Sequence, residues 1–269
     1  MKTFLRQQRQ DATLVLTMDD PERRNALSGN TAVEEFVAAC TAIERDPEIR
    51  AVIITGSDPA FSSGGDLDAM RSDWKGRKAS VVVQHQLRHR VQSLSLALHA
   101  LQVPVIAAVN GPAIGGGCDL ACLCDIRIAS DRARFAANFV KLGLVPAIGA
   151  AWLLPRVVGA SRAAHLCLTG EVLDAQAALA WGLVSQVVPH DALLTEASAL
   201  AARIAANSGP ALRMTKSLLR AGDRTDFPTY LDMASGMQAL ALHSDEHEAA
   251  VNAFQTNRHT RHSTTRKET

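Results

Sequence analysis

The pattern of hydrophobic and polar positions divides the N-terminal part of the chain into alternating strands and helices. TLVLTM (13–18) is β-branched and partly alternating, as in a strand. AVIITG (51–56), PVIAAVNG (104–111) and IRIAS (126–130) are short apolar runs typical of strands buried on both faces. Helical spacing relates a set of apolar residues between the first two runs: Val33, Phe36, Val37, Cys40 and Ile43. Strands that alternate with helices predict an α/β fold.

Helices dominate the rest of the chain. One long helix is predicted by the spacing of Leu87, Val91, Leu94, Leu98 and Leu101. Beyond residue 150 the pattern is mostly helical, with VSQVVP as a last short strand, and from Leu193 onward it predicts helices alone. We therefore predict an α/β core over residues 1–195 and a C-terminal helical region with a polar tail over 196–269.

Composition and charge exclude several classes of protein. Of the 269 residues, 47% are hydrophobic and 20% are charged, and the net charge of +1 lacks the basic excess of a general nucleic-acid binder. No stretch reaches the roughly 18 apolar residues of a membrane helix, and no N-terminal run predicts a signal peptide. An odd count of five cysteines argues against a disulfide framework. We expect a cytoplasmic protein without nucleic-acid or membrane partners.

Candidate chemistry lies in two glycine-rich loops, each of which follows a buried strand and precedes a helix. They are found in AVIITGSDPAFSSGGDLDAM and PVIAAVNGPAIGGGCDLACLCD. Glycine lets backbone approach a ligand, and the first N–H groups of a helix are unpaired. Two such loops that converge could offer two N–H donors to one oxygen, as in an oxyanion hole. The alternative is that the glycines serve close packing alone. The spacing fits neither common phosphate-binding motif.

Several segments together resemble the crotonase family of enoyl-CoA hydratases and isomerases. AFSSGGDLDAM and NGPAIGGGCDLACLCDIRIAS are similar to its two signature segments, and PERRNALS to its first CoA-contacting loop. The resemblance continues through FVKLGLVPAIGAAWLLPRVVG and LTGEVLDAQAALAWGLVSQVVP to SDEHEAAVNAFQTNR. It implies a core of repeated ββα units wound as a spiral. It also implies a C-terminal helical region that assembles a homotrimer or a dimer of trimers.

The resemblance also implies roles for individual residues. The N–H groups of Gly65 and Gly116 match the two donors to the thioester oxygen of an acyl-CoA substrate. Phe139 and Leu144 fall where the acyl pocket would be. No further cofactor is implied, because coenzyme A arrives with the substrate. The CoA contacts of the family fall on Arg24, Ala26, Ala60, Ser62, Gly64, Asp66 and Leu67.

The catalytic acids depart from the family pattern. Hydratases of the family use two glutamates. The first matches Asp119, which is shorter by about 1.5 Å, and the second matches Phe139, which cannot transfer a proton. Asp119 alone could also be an acid that merely favours the helix dipole. A dry pocket formed by Phe139 would raise the pKa of Asp119.

The function expected first is hydration, with water added or removed across the 2,3-bond of an enoyl-CoA. Two alternatives stay open. One is double-bond isomerisation by a single acid, and the other is acyl-CoA binding without catalysis. No metal site is predicted, because Cys118, Cys122 and Cys124 are interpreted as buried structural residues.

Overall fold

Two sheets organise the N-terminal part of the fold. The computed structural model describes residues 3–66, 71 and 78–254. The larger sheet has six strands, in the spatial order β1 (Leu5–Gln10), β2 (Thr13–Met18), β3 (Ala51–Gly56), β4 (Val105–Val109), β6 (Ile126–Ser130) and β9 (Gln186–Val188). Only the β1–β2 pair of this sheet is antiparallel. The smaller sheet has the order β5 (Pro112–Ile114), β7 (Arg134–Ala136) and β8 (Leu173–Asp174).

The helices of the described residues are numbered in chain order. Those of the N-terminal part are α1 (Ala32–Arg45), α2 (Ser80–His89), α3 (Val91–Ala100), α4 (Gly116–Leu123), α5 (Ala150–Val158), α6 (Ala160–Thr169), α7 (Ala175–Ala180) and α8 (Leu193–Ala205). Those of the C-terminal part are α9 (Gly209–Ala221) and α10 (Phe227–Leu242), and residues 245–254 are also helical.

Helices cover both faces of the larger sheet at its central strands, which explains the unbroken apolar runs of β3 and β4. On one face Val52 and Ile54 of β3 join a core that includes residues of α1 and α3. On the other face Ile53 and Ile106 pack with residues of α8. All five residues of β4 are buried. The predicted strands at 13–18, 51–56, 104–111 and 126–130 are confirmed.

The parallel pairing of β3 with β4 positions the glycine-rich loops. Both strands end at the same edge of the sheet, so the segments that follow Gly56 and Val109 begin side by side. Ligands of open α/β sheets bind at this carboxyl edge. The topology therefore brings together two segments that lie far apart in the sequence.

The single long helix predicted over Leu87–Leu101 is wrong, because the segment forms two helices. α2 ends at His89 and α3 begins at Val91, with Arg90 at φ −121° and ψ −93° between them. The hydroxyl of Ser93 donates a hydrogen bond to the Arg90 carbonyl over 2.5 Å. A serine that bonds to nearby backbone competes with the regular helix ladder.

The chain separates into two compact units, residues 1–205 and 206–269. The predicted boundary at 195/196 lies inside α8, whose residues Ala197 and Ala201 are buried in the core of the first unit. In the second unit α9 packs against α10. The side chains of Ser208 and Asp226 cap these two helices by accepting the N–H groups of Ala211 and Thr229. Among the described residues, no helix has the length and apolar character needed to cross a membrane.

Candidate active site

The two glycine-rich loops are joined to each other by backbone hydrogen bonds at Ser62. We call residues 57–66 and 110–117 the paired loops. The Ser62 N–H donates to the Pro112 carbonyl over 3.0 Å, and the Ile114 N–H donates to the Ser62 carbonyl over 2.9 Å. These two bonds form a parallel bridge between Ser62 and Ala113. The paired loops are therefore held by backbone hydrogen bonds, as adjacent strands are.

Glycine is required where the paired loops approach most closely. Gly64 has φ +76°, and a Cβ there would lie 2.5 Å from the Ile114 oxygen and 2.6 Å from the Gly116 nitrogen. A Cβ on Gly117 would overlap the Ser62 carbonyl oxygen. Both positions exclude a side chain because the obstacle is backbone, which cannot turn aside.

A third segment, residues 20–28, is fastened to the first of the paired loops by Asn25. This buried side chain donates from Nδ2 to the carbonyls of Ser57 and Ala60, over 2.8 and 2.7 Å. Asn25 adopts a left-handed φ of 56°, a conformation that asparagine tolerates better than most residues. The Leu27 N–H donates to the Gly64 carbonyl over 2.7 Å. The loop that carries Arg24 is thus tied directly to Gly64.

These three segments surround a cavity of about 740 Å³. The backbones of Gly65 and Gly116 both line it. No acceptor in the described part of the chain pairs with the N–H of either glycine. Gly116 is the first residue of α4, where a helix N–H has no partner of its own. Two residues of the cavity wall, Gly65 and Gly116, therefore carry backbone N–H groups that have no partner among the described residues.

Charged and apolar side chains lie on different segments of the cavity wall. Glu22, Arg23, Arg24 and Asp66 belong to residues 22–66, and Arg23 forms an ion pair with Asp66 at 3.8 Å. The side chains contributed by the later part of the chain are apolar apart from the amide of Asn138. The apolar group consists of Leu87, Pro112, Ile114, Phe139, Leu142, Leu144, Val145, Ala147 and Ile148.

Asp119 lies on α4, one turn beyond Gly116, and is completely buried. Neither of its carboxylate oxygens accepts a hydrogen bond of regular geometry from the described residues. Burial raises the pKa of Asp119 to about 7, and the nearby Ala150 N–H, which favours the charged form, offsets only part of this effect. The rise has the direction expected from the sequence. A carboxyl group with this pKa is present in both protonation states near neutral pH.

Asp119 does not itself line the cavity. The side chain of Ile148 lies over Gly116, because a Cβ added to that glycine would be 2.9 Å from Ile148 Cδ1. The backbone of this segment is held by hydrogen bonds from Gln92 Nε2 to the Ala147 carbonyl and from Ser95 Oγ to the Ile148 carbonyl. Ile148 therefore covers Gly116, which lies one turn before Asp119 on α4.

The structure brings most of the predicted site residues to one cavity. Ser62 and Gly64 are buried and lie outside the wall, where they hold the paired loops together. Leu67 lies outside the described residues. The predicted residues that line the wall are Arg24, Ala26, Ala60, Gly65, Asp66, Gly116, Phe139 and Leu144.

Sequence reasoning missed three residues of this region. Asn25 could have been suspected, because an asparagine in a turn-rich loop is a candidate for left-handed backbone. Asn138 precedes Phe139 and contributes the amide in the cavity wall, but nothing in its local pattern separates it from a surface residue. Ile148 carries no signal either, because its position over Gly116 depends on the path of the chain between distant elements.

The cysteines form no disulfide, and four of the five are buried. Cys118 and Cys122, one turn apart on α4, share a hydrogen bond. No group of metal-ligating side chains suited to an ion occurs within residues 3–66, 71 and 78–254. The cysteine cluster thus belongs to the packing around α4.

Comparison with known proteins connects this site to acyl-CoA chemistry. A family model described as enoyl-CoA hydratase/isomerase matches residues 8–264. A Mycobacterium bovis protein described as probable enoyl-CoA hydratase echA8 is 41% identical over 202 residues, which cover 75% of each chain. The 1,2-epoxyphenylacetyl-CoA isomerase of Escherichia coli is 35% identical over 255 residues, which cover 94% of this chain and 96% of that protein.

The fold is similar to solved structures as well. The crystal structure of enoyl-CoA hydratase from Bacillus anthracis superposes with a TM-score of 0.88 at 30% sequence identity. The superposition covers 95% of this chain and 97% of that one. The similarity therefore includes the two sheets and the C-terminal helices.

Proposed function

The chain belongs to the enoyl-CoA hydratase/isomerase (crotonase) family, and from this premise we propose that it moves the double bond of an enoyl-CoA thioester with Asp119 as its single acid–base group. It has the α/β crotonase fold, with two sheets and C-terminal helices, of an acyl-CoA hydratase or isomerase. The observation that carries the choice of isomerase is the contrast between two positions. Asp119 is a buried acid, and Phe139 presents a phenyl ring where a hydratase would use its second acid.

The thioester oxygen would accept hydrogen bonds from the Gly65 and Gly116 N–H groups. Negative charge develops on this oxygen when a proton leaves the carbon chain, so donors fixed before the reaction stabilise the transition state more than the substrate. Removal of one such donor typically costs about 10² to 10³ in turnover. Neither N–H group has a partner among the described residues, and the loops that carry them approach too closely for a Cβ at Gly64; both observations support this role.

Asp119 would carry out the proton transfer. Its carboxylate takes a proton from one carbon of the acyl chain, which leaves a dienolate whose charge reaches the thioester oxygen. The carboxylic acid then returns a proton to a carbon two bonds away, and the double bond has moved. A pKa of about 7 suits a group that must both accept and donate. For this contact side chains of the cavity wall must move, because Asp119 does not itself line the cavity.

The cavity favours a neutral and apolar acyl group. The wall formed by residues 87 and 139–148 contributes no charged side chain to the cavity, so a second carboxylate on the acyl chain would lose hydration without gaining a partner. Arg23 and Arg24 lie at the loop with which the family contacts CoA, and their positive charge suits its phosphates.

Hydration is the second candidate, because the Mycobacterium bovis relative is described as a probable enoyl-CoA hydratase. Water addition by this site would leave the attacking water without a second carboxylate to hold it. We therefore expect hydration to be slower than isomerisation. Acyl-CoA binding without catalysis is the remaining alternative.

Product analysis separates these functions. The purified protein would be incubated with trans-2-hexenoyl-CoA and with 3-hexenoyl-CoA, in ordinary water, in D₂O and in H₂¹⁸O, and the products would be resolved by chromatography and mass spectrometry. We expect interconversion of the two esters without gain of the mass of water. Predominant addition of ¹⁸O would contradict isomerisation in favour of hydration. Tight binding of both esters without any product would support the binding function.

Assembly and location complete the proposal. We propose a homotrimer or a dimer of trimers built through the C-terminal unit. Large apolar side chains exposed on that unit support this assembly, among them Leu219, Phe227 and Leu240 at 73%, 70% and 70% exposure. Unbridged cysteines support a reducing, cytoplasmic location. No resident cofactor is proposed, because coenzyme A enters as part of the substrate.

A further inference from the structure

His190 joins the paired loops at the end opposite to the proposed oxygen site. It follows β9, and its imidazole reaches both loops at once. Nε2 lies 3.1 Å from Asp58 Oδ2 on the first loop. Nδ1 lies 3.1 Å from the carbonyl oxygen of Asn110 on the second. A carbonyl oxygen only accepts, so Nδ1 carries the proton in this contact.

Asn110 makes the same end of the loops rigid from within. Its Nδ2 donates to Asp58 Oδ1 over 3.1 Å and to the Ala60 carbonyl over 3.3 Å. Its carbonyl also accepts the Ser130 hydroxyl over 2.7 Å. His190 thus completes a group of polar contacts in which the two loops and β6 meet.

Neighbouring groups hold the His190 backbone and the Asp58 charge in place. The His190 N–H donates to Asp131 Oδ1 over 3.1 Å. Burial would raise the pKa of Asp58, but hydrogen bonds from Asn110 and His190, with the charges of His190 and Arg132, lower it overall. The Asp58 side chain is 61% exposed against 14% for His190, so the ion pair contributes little energy by itself. The importance of this contact lies in holding the two loops at a fixed distance from each other.

A continuous set of close contacts leads from His190 to the proposed donors. Gly111 is pressed against the Pro59 carbonyl, where a Cβ would lie only 2.6 Å away. Ser62 then bridges Ala113, and Gly64 lies against Gly116. Asp58 is seven residues before Gly65, and Asn110 is six residues before Gly116. Neither loop can slide past the other between these two ends.

We propose that His190 is a positioning residue, which fixes the spacing of the Gly65 and Gly116 N–H groups by joining Asp58 to Asn110. The inference rests on the proposed function of those two donors. A displacement of about 1 Å at a reacting centre can cost on the order of 10² in rate. Removal of the His190 contacts, which lie at the far end of the loops, would move the donors by less than this. We therefore expect kcat to fall by about tenfold.

The test compares H190A, H190Q and D58N with a control at a similar pair elsewhere. His165 contacts Glu171 at 2.7 Å away from the paired loops, and H165A removes that pair. Two quantities would be measured in each protein. One is kcat and KM with the better hexenoyl-CoA ester. The other is the infrared carbonyl stretch of bound butyryl-CoA labelled with ¹³C at the thioester carbon, which falls when the oxygen accepts strong hydrogen bonds.

We expect H190A to lower kcat about tenfold with KM changed less than about twofold, and to reverse part of the fall in carbonyl frequency. D58N should do the same to a smaller extent, and H190Q should recover part of the loss because its amide can still donate to Asn110. H165A should match the wild type. Thermal unfolding of each variant verifies that it is folded. If H190A does not fold, D58N serves as the test variant, because it changes the other partner of the same contact.

Two outcomes would overturn the inference in distinguishable ways. A lowered carbonyl frequency in the wild type that stays unchanged in both H190A and D58N would exclude a positioning role for His190. An absence of any lowering in the wild type would contradict the proposed oxygen site itself, and the role of His190 with it.

Discussion

We call Asp119 and the wall residues Phe139 and Ile148 the acid region. The paired loops and the acid region lie next to each other and are built in opposite ways. In the paired loops the functional groups are backbone N–H groups, and hydrogen bonds from three segments determine their position. In the acid region the functional group is the side chain of Asp119, which has no hydrogen bond of regular geometry with the described residues. The first region is stabilised by its own geometry, whereas the second is destabilised by the chemistry it carries.

Function and stability oppose each other at Asp119 but not in the paired loops. Backbone donors serve the substrate without loss to the fold, because a helix N-terminus has unpaired N–H groups in any case. A buried carboxylate without partners costs free energy whenever it is charged. An acid kept in such a place indicates a role that a hydrophobic residue could not fill.

The largest expected effect is on turnover in D119N. This variant keeps the size of the side chain and removes its ability to transfer a proton, so kcat should fall by about 10² to 10⁴. In the wild type kcat/KM should rise with pH through about 7, because the carboxylate form removes the first proton. The variant should lose this rise in a pH–rate profile.

D11N is the matched control for that variant. Asp11 undergoes the same chemical change in an exposed turn, and its φ of 52° suits asparagine. It should keep wild-type turnover and the same pH profile. Equal activity of D119N and D11N would exclude Asp119 as the acid and leave it as a packing residue.

The next effect is a gain of stability in the same D119N variant. The folded-state pKa of about 7 lies above the ordinary value of 3.8, so the unfolded chain ionises first as pH rises. The wild type therefore loses stability between about pH 4 and 7, by about 4 kcal/mol in full. Asparagine removes this loss. Urea unfolding should show D119N more stable than wild type at pH 8, and the difference should shrink at pH 5. A pH-independent difference would contradict the raised pKa.

The sequence was informative about some elements of the fold and uninformative about others. The strand at 51–56 was predictable because a buried parallel strand needs an unbroken apolar run. The break at Arg90 was not, because the apolar spacing continues across it while a serine hydroxyl bonds to the backbone locally. The predicted C-terminal end of the core, at residue 195, differs from the end of the first compact unit, at residue 205. The sequence could not show this difference, because α8 is helical like the residues after it and differs from them only in that it packs on the sheet.

For the candidate site, the sequence indicated the loops better than the acid. Glycines such as Gly64 leave a signal, because close backbone approach and positive φ exclude other residues. The position of Ile148 over Gly116 leaves none, because it depends on which distant segments meet. His190 is the clearest case, since its two contacts join residues 132 and 80 positions away.

A third prediction tests the rigidity of the paired loops through G64A. Its Cβ would meet backbone atoms at 2.5 and 2.6 Å, so the loops must separate and the donors must move. We expect kcat to fall by about 10² to 10³, the cost of one lost donor. The control is G182A, because Gly182 has the same φ of +76° but nothing within 4 Å of an added Cβ. Steady-state kinetics should show wild-type turnover for G182A, and thermal unfolding should show that this variant loses only stability. Similar turnover in both variants would mean that the spacing of the loops is unimportant.

The smallest effect is expected where the acid region is most unusual, at Phe139. The change F139E places a carboxylate in the cavity wall on the side of Gly115, where the Phe139 ring lies 3.7 Å from the position of an added Cβ. A second carboxylate could hold a water molecule for addition to the double bond. The ratio of hydration to isomerisation should therefore rise by about tenfold, equivalent to about 1.4 kcal/mol.

The control V140E adds the same charge at the next position, which is 43% exposed and outside the cavity wall, and should leave the ratio unchanged. The ratio would be measured from ¹⁸O incorporation and double-bond position in the same product mixture. An equal rise in both variants would assign the effect to net charge, and no rise in F139E would show that a second acid at this position does not decide between the two reactions.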